Sequence, residues 1–112
     1  MVITVTSLKL RRLWDVFKMY YLSFHVVAQT KQQKDFVSMK NTGFGYWHYT
    51  LSVWESEEAV KQFARTGAHL NAMKQSRNLA SEISTYTFQS EQIPNWKEAK
   101  QLLVENGKRL SF

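Results

Sequence analysis

The sequence predicts an α+β domain of βαββαβ order: a four-stranded antiparallel sheet, two helices on one of its faces, and an appended C-terminal helix. Three observations carry that reading. A period-2 stretch at residues 46–54, YWHYTLSVW, runs straight into a helix start at Ser56 with no loop between them. Before it, Asn41-Thr42-Gly43-Phe44-Gly45 reads as a turn, because two glycines and an asparagine tolerate positive φ. Farther on, Asn95 follows Pro94 and has Glu98 three residues later, the form of a capped helix start.

The first strand is expected over residues 2–7, where β-branched residues alternate with small hydroxyl residues. A helix is expected over 11–30, with Leu13, Phe17, Tyr20, Phe24 and Val27 at helical spacing. Trp14, Val16 and Tyr21 make it apolar on more than one side, so it is either buried on two faces or lines a pocket. Residues 35–40 form the second strand, and 46–54 return antiparallel to it. In that return strand Trp47, Tyr49, Leu51 and Val53 make a strongly apolar face, whereas Tyr46, His48, Thr50, Ser52 and Trp54 make a mixed one.

Ser56 is a suitable N-cap, and Glu57 and Glu58 fall in the first turn, where the helix dipole favours them. Ala59, Phe63, Leu70 and Met73 give this helix a core stripe, broken at Gly67. The last strand is expected over 82–89, anchored by Ile83, Tyr86 and Phe88. The C-terminal helix turns Trp96, Ala99, Leu102 and Leu103 inward and stops at Gly107. This order is that of a ferredoxin-like plait. Its uncovered sheet face would carry aromatics, and a homodimer packed sheet face to sheet face would bury them; the C-terminal helix folding over that face instead would remove the need for a partner.

Composition narrows the function. A chain of 112 residues supports one core, so one domain is expected over 1–112, with its core at 1–90 and a C-terminal helical extension at 91–112. The 44% hydrophobic and 14% aromatic content supplies that core and argues against disorder. Without cysteine there are no disulfides, thiolate metal sites or thiol nucleophiles. No apolar run reaches the roughly 20 residues of a membrane span. The opening Met1-Val2-Ile3 does not fit a secretory signal, and a cytoplasmic setting is expected. The net charge of +6 comes from cations spread along the chain, which suits an effect on anionic lipid or ligands better than nucleic-acid binding.

The run Thr50-Leu51-Ser52-Val53-Trp54, followed by Phe63-Ala64-Arg65, Gly67, His69 and Ala72-Met73, resembles the dimeric α+β-barrel superfamily of antibiotic-biosynthesis-monooxygenase-like proteins. It is most similar in wording to the spheroidene-monooxygenase-like branch. The resemblance implies a monooxygenase-like protein acting on a small hydrophobic aromatic or polyene compound, with or without haem. It implies His69 as the haem ligand, with Trp54, Phe63 and Met73 around the pocket. The haem-degrading branch fits worse: its helix Trp and His fall on Phe63 and Met73, and the first strand has no Asn. The cofactorless quinone-type monooxygenases stay open, as does a non-catalytic homodimer that binds a small hydrophobic ligand or a protein partner.

Single residues weigh little by themselves. His69 at the edge of the core stripe reads first as a half-buried histidine hydrogen-bonded beside the Gly67 break, and a single imidazole carries the ligand reading only weakly. His48 and His25 have no metal-ligand spacing with it, so no metal site is expected. Trp54, ending a strand, reads as ordinary core material before it reads as a pocket wall. The glutamates at the helix start are not paired catalytic carboxylates, and no acid, base or nucleophile set is assembled in the sequence.

Overall fold

In a computed structural model the described residues are 1–64, 74–75 and 78–111. The chain runs through β1 (Val2–Leu10), a 3-10 turn (Leu13–Asp15), α1 (Val16–Lys31), β2 (Phe36–Phe44), β3 (Trp47–Trp54), α2 (Glu57–Ala64) and β4 (Ala80–Gln89). A C-terminal helix, α3 (Trp96–Asn106), and a short strand, β5 (Lys108–Ser111), complete it. All pairings are antiparallel, in the order β2-β3-β1-β4-β5.

The α+β class and the element order stand, but the sheet has five strands where four were expected. Residues 108–111 are too short and polar to announce a strand. They pair because the free edge of β4 offers unmatched N–H and C=O groups, with Lys108 opposite Thr85 and Leu110 opposite Ile83. Glu82 and Arg109 close the new edge with an ion pair of 3.0 Å. The hairpin also differs from expectation. β2 continues through the residues read as a turn, and the reversal is confined to Gly45-Tyr46, with Gly45 at φ +64. Cross-strand pairing with β3 outweighs the turn propensity of Asn41 and Gly43.

β1 is central, and its alternating side chains serve two faces. Ile3 and Val5 point to one face with Leu51 and Val53 of β3, and there they meet Ala99 and Leu103 of α3. Tyr49, Tyr86, Phe88 and Trp96 flank this cluster, and Lys100 Nζ sits 4.6 Å from the Tyr49 ring centroid. On the other face Val2 and Trp54 pack with Phe63, Ala59 and Val60 of α2, with Val26 of α1 and with Phe36 of β2. The two helices α1 and α2 therefore share one face, and α3 closes the other. Exposure of the apolar face was the reason to expect a homodimer through the sheet faces. That reason lapses over β1, β3 and β4, because the chain's own C-terminal helix fills the place.

Local signals fix α3 there. The Asn95 side chain accepts the Glu98 N–H at 2.8 Å, and the Gly107 N–H bonds back to the Leu103 carbonyl. Gly107 has an ordinary negative φ. Glycine is needed because a Cβ there would run into the Leu103 carbonyl oxygen and lie 2.6 Å from Ser84 Oγ. At the start of α2, Ser56 Oγ accepts the Ala59 N–H at 3.2 Å, as its N-cap role requires.

α1 is turned differently from its sequence pattern. The stripe Leu13, Phe17, Tyr20 and Phe24 is exposed, and Met19, Leu22 and Thr30 are the buried positions. Being apolar on both sides, the helix gave no sequence signal for which side meets the sheet.

Leu103→Ala is expected to destabilise the protein by about 2–5 kcal/mol, and Gly107→Ala by about 1–3 kcal/mol through overpacking. Val104→Ala, on the solvent side of the same helix, should stay within about 0.5 kcal/mol. Urea unfolding of the three variants checks this, and equal losses at Leu103 and Val104 would contradict the placement of α3.

Candidate functional site

The sheet face that α1 and α2 share is not apolar in its middle, and part of that middle, at Thr85 and Thr87, is exposed. The register places Thr4 and Thr6 of β1 beside Ser52 and Thr50 of β3 on one side. On the other side stand Thr87 and Thr85 of β4. Two cross-strand hydroxyl pairs form, Thr4 Oγ1 to Thr87 Oγ1 at 2.9 Å and Thr6 Oγ1 to Thr85 Oγ1 at 3.3 Å. Such pairs stabilise a sheet modestly. Each hydroxyl also keeps hydrogen-bonding capacity beyond its partner.

Aromatic groups stand at both ends of this hydroxyl floor. At one end Trp54 lies 5.3 Å from Phe63 and 5.6 Å from Phe36, ring centre to ring centre. Trp54 is 1% exposed and Phe63 6% exposed. The Trp54 indole N–H is buried and has no hydrogen-bond partner among the described residues, an arrangement that costs about 1–3 kcal/mol. At the other end the His48 ring meets Tyr20 of α1 edge-on at 6.1 Å, and its Nε2 is 2.9 Å from the Gly45 carbonyl oxygen. Gly43, opposite His48 in the hairpin, makes this possible. A Cβ at Gly43 would lie 2.5 Å from His48 Nδ1 and 2.8 Å from its Cα.

Of the pocket residues expected from the sequence, the structure brings Trp54 and Phe63 together. His69 and Met73 lie outside the described residues. His25 is on the outer side of α1, edge-on to Tyr21 and Phe24. Among the described residues no cluster of His, Asp, Glu or Cys could hold a metal ion. Nor do they build a haem site, since His48 is tied to the hairpin carbonyl and the His25 ring stands against Tyr21 and Phe24. The hydroxyl floor was missed as a site. Its signal was present in the alternation of Thr and Ser in VTVTS-like runs on three strands, but only strand pairing puts them side by side.

A second feature lies at the end of the sheet, where an open recess of about 550 Å³ is lined by Lys9, Leu10, Arg11, Tyr46 and Ser81. Its cations are engaged locally. Lys9 Nζ sits 5.6 Å from the Trp47 ring centroid, and Arg11 Nε donates to the Ala80 carbonyl at 3.0 Å.

Gly43→Ala is expected to cost about 1–3 kcal/mol and to push the His48 ring away from Tyr20. The change would be visible as loss of the ring-current shifts of the His48 proton resonances. Unchanged His48 resonances would show that the ring does not depend on the missing Cβ.

Solved structures of known proteins share this fold. SnoaB, a cofactor-independent oxygenase from Streptomyces nogalater, is 16% identical with a TM-score of 0.66, over 82% of this chain and 94% of that one. A provisionally named antibiotic biosynthesis monooxygenase from Deinococcus radiodurans is 13% identical with a TM-score of 0.72, over 85% and 97%. A conserved protein from Methanosarcina mazei Go1 is 11% identical with a TM-score of 0.73, over 80% and 92%. The chain thus has the fold of the antibiotic-biosynthesis-monooxygenase-like proteins, the superfamily that the run from Thr50 to Met73 resembles. No curated protein matches the sequence. A family model matches residues 21–108, from the middle of α1 to the first residue of β5, and the chain belongs to the family described as Domain of unknown function (DUF3291).

Proposed function

We propose that this protein is monooxygenase-like and takes a small hydrophobic aromatic or polyene compound against the sheet face shared by α1 and α2. The observation that carries the reading is the hydroxyl floor of Thr4, Thr6, Thr50, Ser52, Thr85 and Thr87. The α3 face also buries two serines, Ser7 and Ser84, but beside Ile3, Val5, Leu51 and Val53, whereas six hydroxyls stand together on this one. Spare donors and acceptors framed by aromatic rings suit a flat ligand with one or two oxygen substituents. The named activities of SnoaB and of the Deinococcus protein lend support to oxygenation of such a compound.

The chain's own residues would bind and orient the ligand. The threonine hydroxyls would hold its oxygen substituents, and the rings at either end would exclude water. A cofactorless reaction of this type relies on the electron-rich ring of the substrate itself. Haem enters no step here, because the described residues do not fit it. The resemblance to the spheroidene branch still nominates His69, and a hemin titration of the parent beside His69→Ala decides between the two forms. A non-catalytic ligand binder is the second reading, favoured because the described residues of the floor include no carboxylate and no thiol.

The test uses a panel of polycyclic phenols and short polyenes, followed by tryptophan fluorescence and by oxygen uptake. Saturable quenching by at least one class is expected. Thr6→Val should weaken it by about two- to tenfold, the worth of one hydrogen bond. Oxygen uptake with binding supports the oxygenase, and binding without uptake supports the second reading. No saturable binding by any member of the panel would overturn both.

A further inference from the structure

The outer side of α1 and the 3-10 turn before it carry large, mostly exposed aromatics. Phe17 is 76% exposed, Trp14 74% and Phe24 71%, and Tyr20, Tyr21 and Leu13 are each more than half exposed. At 100° per residue Phe17, Tyr20, Tyr21 and Phe24 share one stripe along α1, opposite Met19, Leu22 and Val26, and Leu13 and Trp14 stand in the 3-10 turn that precedes it. The five rings amount to an exposed apolar patch on the order of 600–700 Å². Monomeric proteins seldom leave such an area to water.

We infer that this face docks on an anionic phospholipid bilayer, lying along its surface. The inference goes beyond the ligand reading and does not rest on it. Charge names the occupant. Residues 11–34 hold five cations, Arg11, Arg12, Lys18, Lys31 and Lys34, against one carboxylate, Asp15. Arg11 and Arg12 precede the helix, Lys31 and Lys34 close and follow it, and Lys18 flanks the stripe between Trp14 and Tyr21. Aromatic rings on one side with basic residues around them are the composition of a helix that sinks roughly 5–10 Å into the headgroup boundary. Trp and Tyr favour that depth, because their polar tips stay wet. With 16 residues α1 is about 24 Å long. No helix among the described residues is long and apolar enough to cross a membrane, so α1 would lie on the bilayer.

A second copy of the chain suits the stripe less well. Two-fold pairing of α1 with itself in the antiparallel sense sets Arg11 and Arg12 against Lys31 and Lys34 of the other copy. Pairing in the parallel sense sets each lysine against itself. Like charges meet either way, whereas an anionic surface suits Lys18, Lys31 and Lys34; Arg12 is ion-paired with Asp15 at 3.2 Å and Arg11 Nε donates to the Ala80 carbonyl.

The test is sedimentation of the full chain with vesicles of phosphatidylcholine alone and of phosphatidylcholine mixed with phosphatidylglycerol. Binding to the mixed vesicles only is expected, weakening as salt is raised. A blue shift of tryptophan emission should accompany it and be lost in Trp14→Phe. Lys18→Gln and Lys31→Gln should each weaken binding by about fivefold, and Phe17→Ser with Phe24→Ser should abolish it. All these side chains are exposed, so circular dichroism should show folded variants. Should the double phenylalanine variant fail to fold, the lysine variants and the Trp14 signal still decide. Absence of binding to either vesicle, or equal binding to both with no effect of the lysines, would overturn the inference. So would a dimer seen by light scattering that the phenylalanine pair abolishes while vesicles stay unbound, which would assign the face to a second copy.

Discussion

Packing of α3 on the sheet sets the conditions for the rest of the molecule. Ala99 and Leu103 cover Ile3, Val5, Leu51 and Val53, at about 1.5–3 kcal/mol for each large aliphatic side chain buried. Because side chains alternate along a strand, committing these residues to α3 commits their neighbours to the opposite face. Val2, Thr4 and Thr6 of β1, with Thr50, Ser52 and Trp54 of β3, then have no choice but to look toward α1 and α2. A slip of one residue between β1 and β3 would exchange the two sets, so the register and the site are specified by the same contact.

The division of labour between the faces follows from this. One face receives the aliphatic residues and an amphipathic helix held by a cap at Asn95 and a close approach at Gly107. It is a packing face. On the other, apolar contact is concentrated where Trp54, Phe63 and Phe36 meet, and the strip between that cluster and His48 is lined by hydroxyls. Stability resting largely on the α3 side leaves the opposite side free to carry polar groups with unused hydrogen-bonding capacity. The buried Trp54 N–H is part of that cost.

α1 belongs to both themes. Its inner side gives Met19, Leu22 and Val26 to the protein, and Tyr20 reaches the His48 ring at the rim of the floor. The outer side of the same helix carries the exposed rings. A helix that wraps a site with one side and meets a surface with the other would link access to the floor with attachment at the bilayer.

The sequence by itself determined the α+β class, the order of the first seven elements, the caps at Ser56 and Asn95 and the superfamily likeness, because each depends on short-range pattern. Period-2 alternation, N-cap chemistry and a helix stop are read within a few residues. It also showed two unlike faces on β3. Tertiary structure decided which helix each face would meet, and it chose the C-terminal helix over an open apolar face. Only docking in three dimensions could place α3 there, since its inward stripe fits either an open sheet or a partner. The fifth strand was likewise decided by the free edge of β4, for residues 108–111 have little strand propensity of their own. The hydroxyl floor shows the same limit most clearly. Thr4, Ser52 and Thr87 stand about 35 to 83 residues apart along the chain, and only the register of β1 between β3 and β4 makes them neighbours.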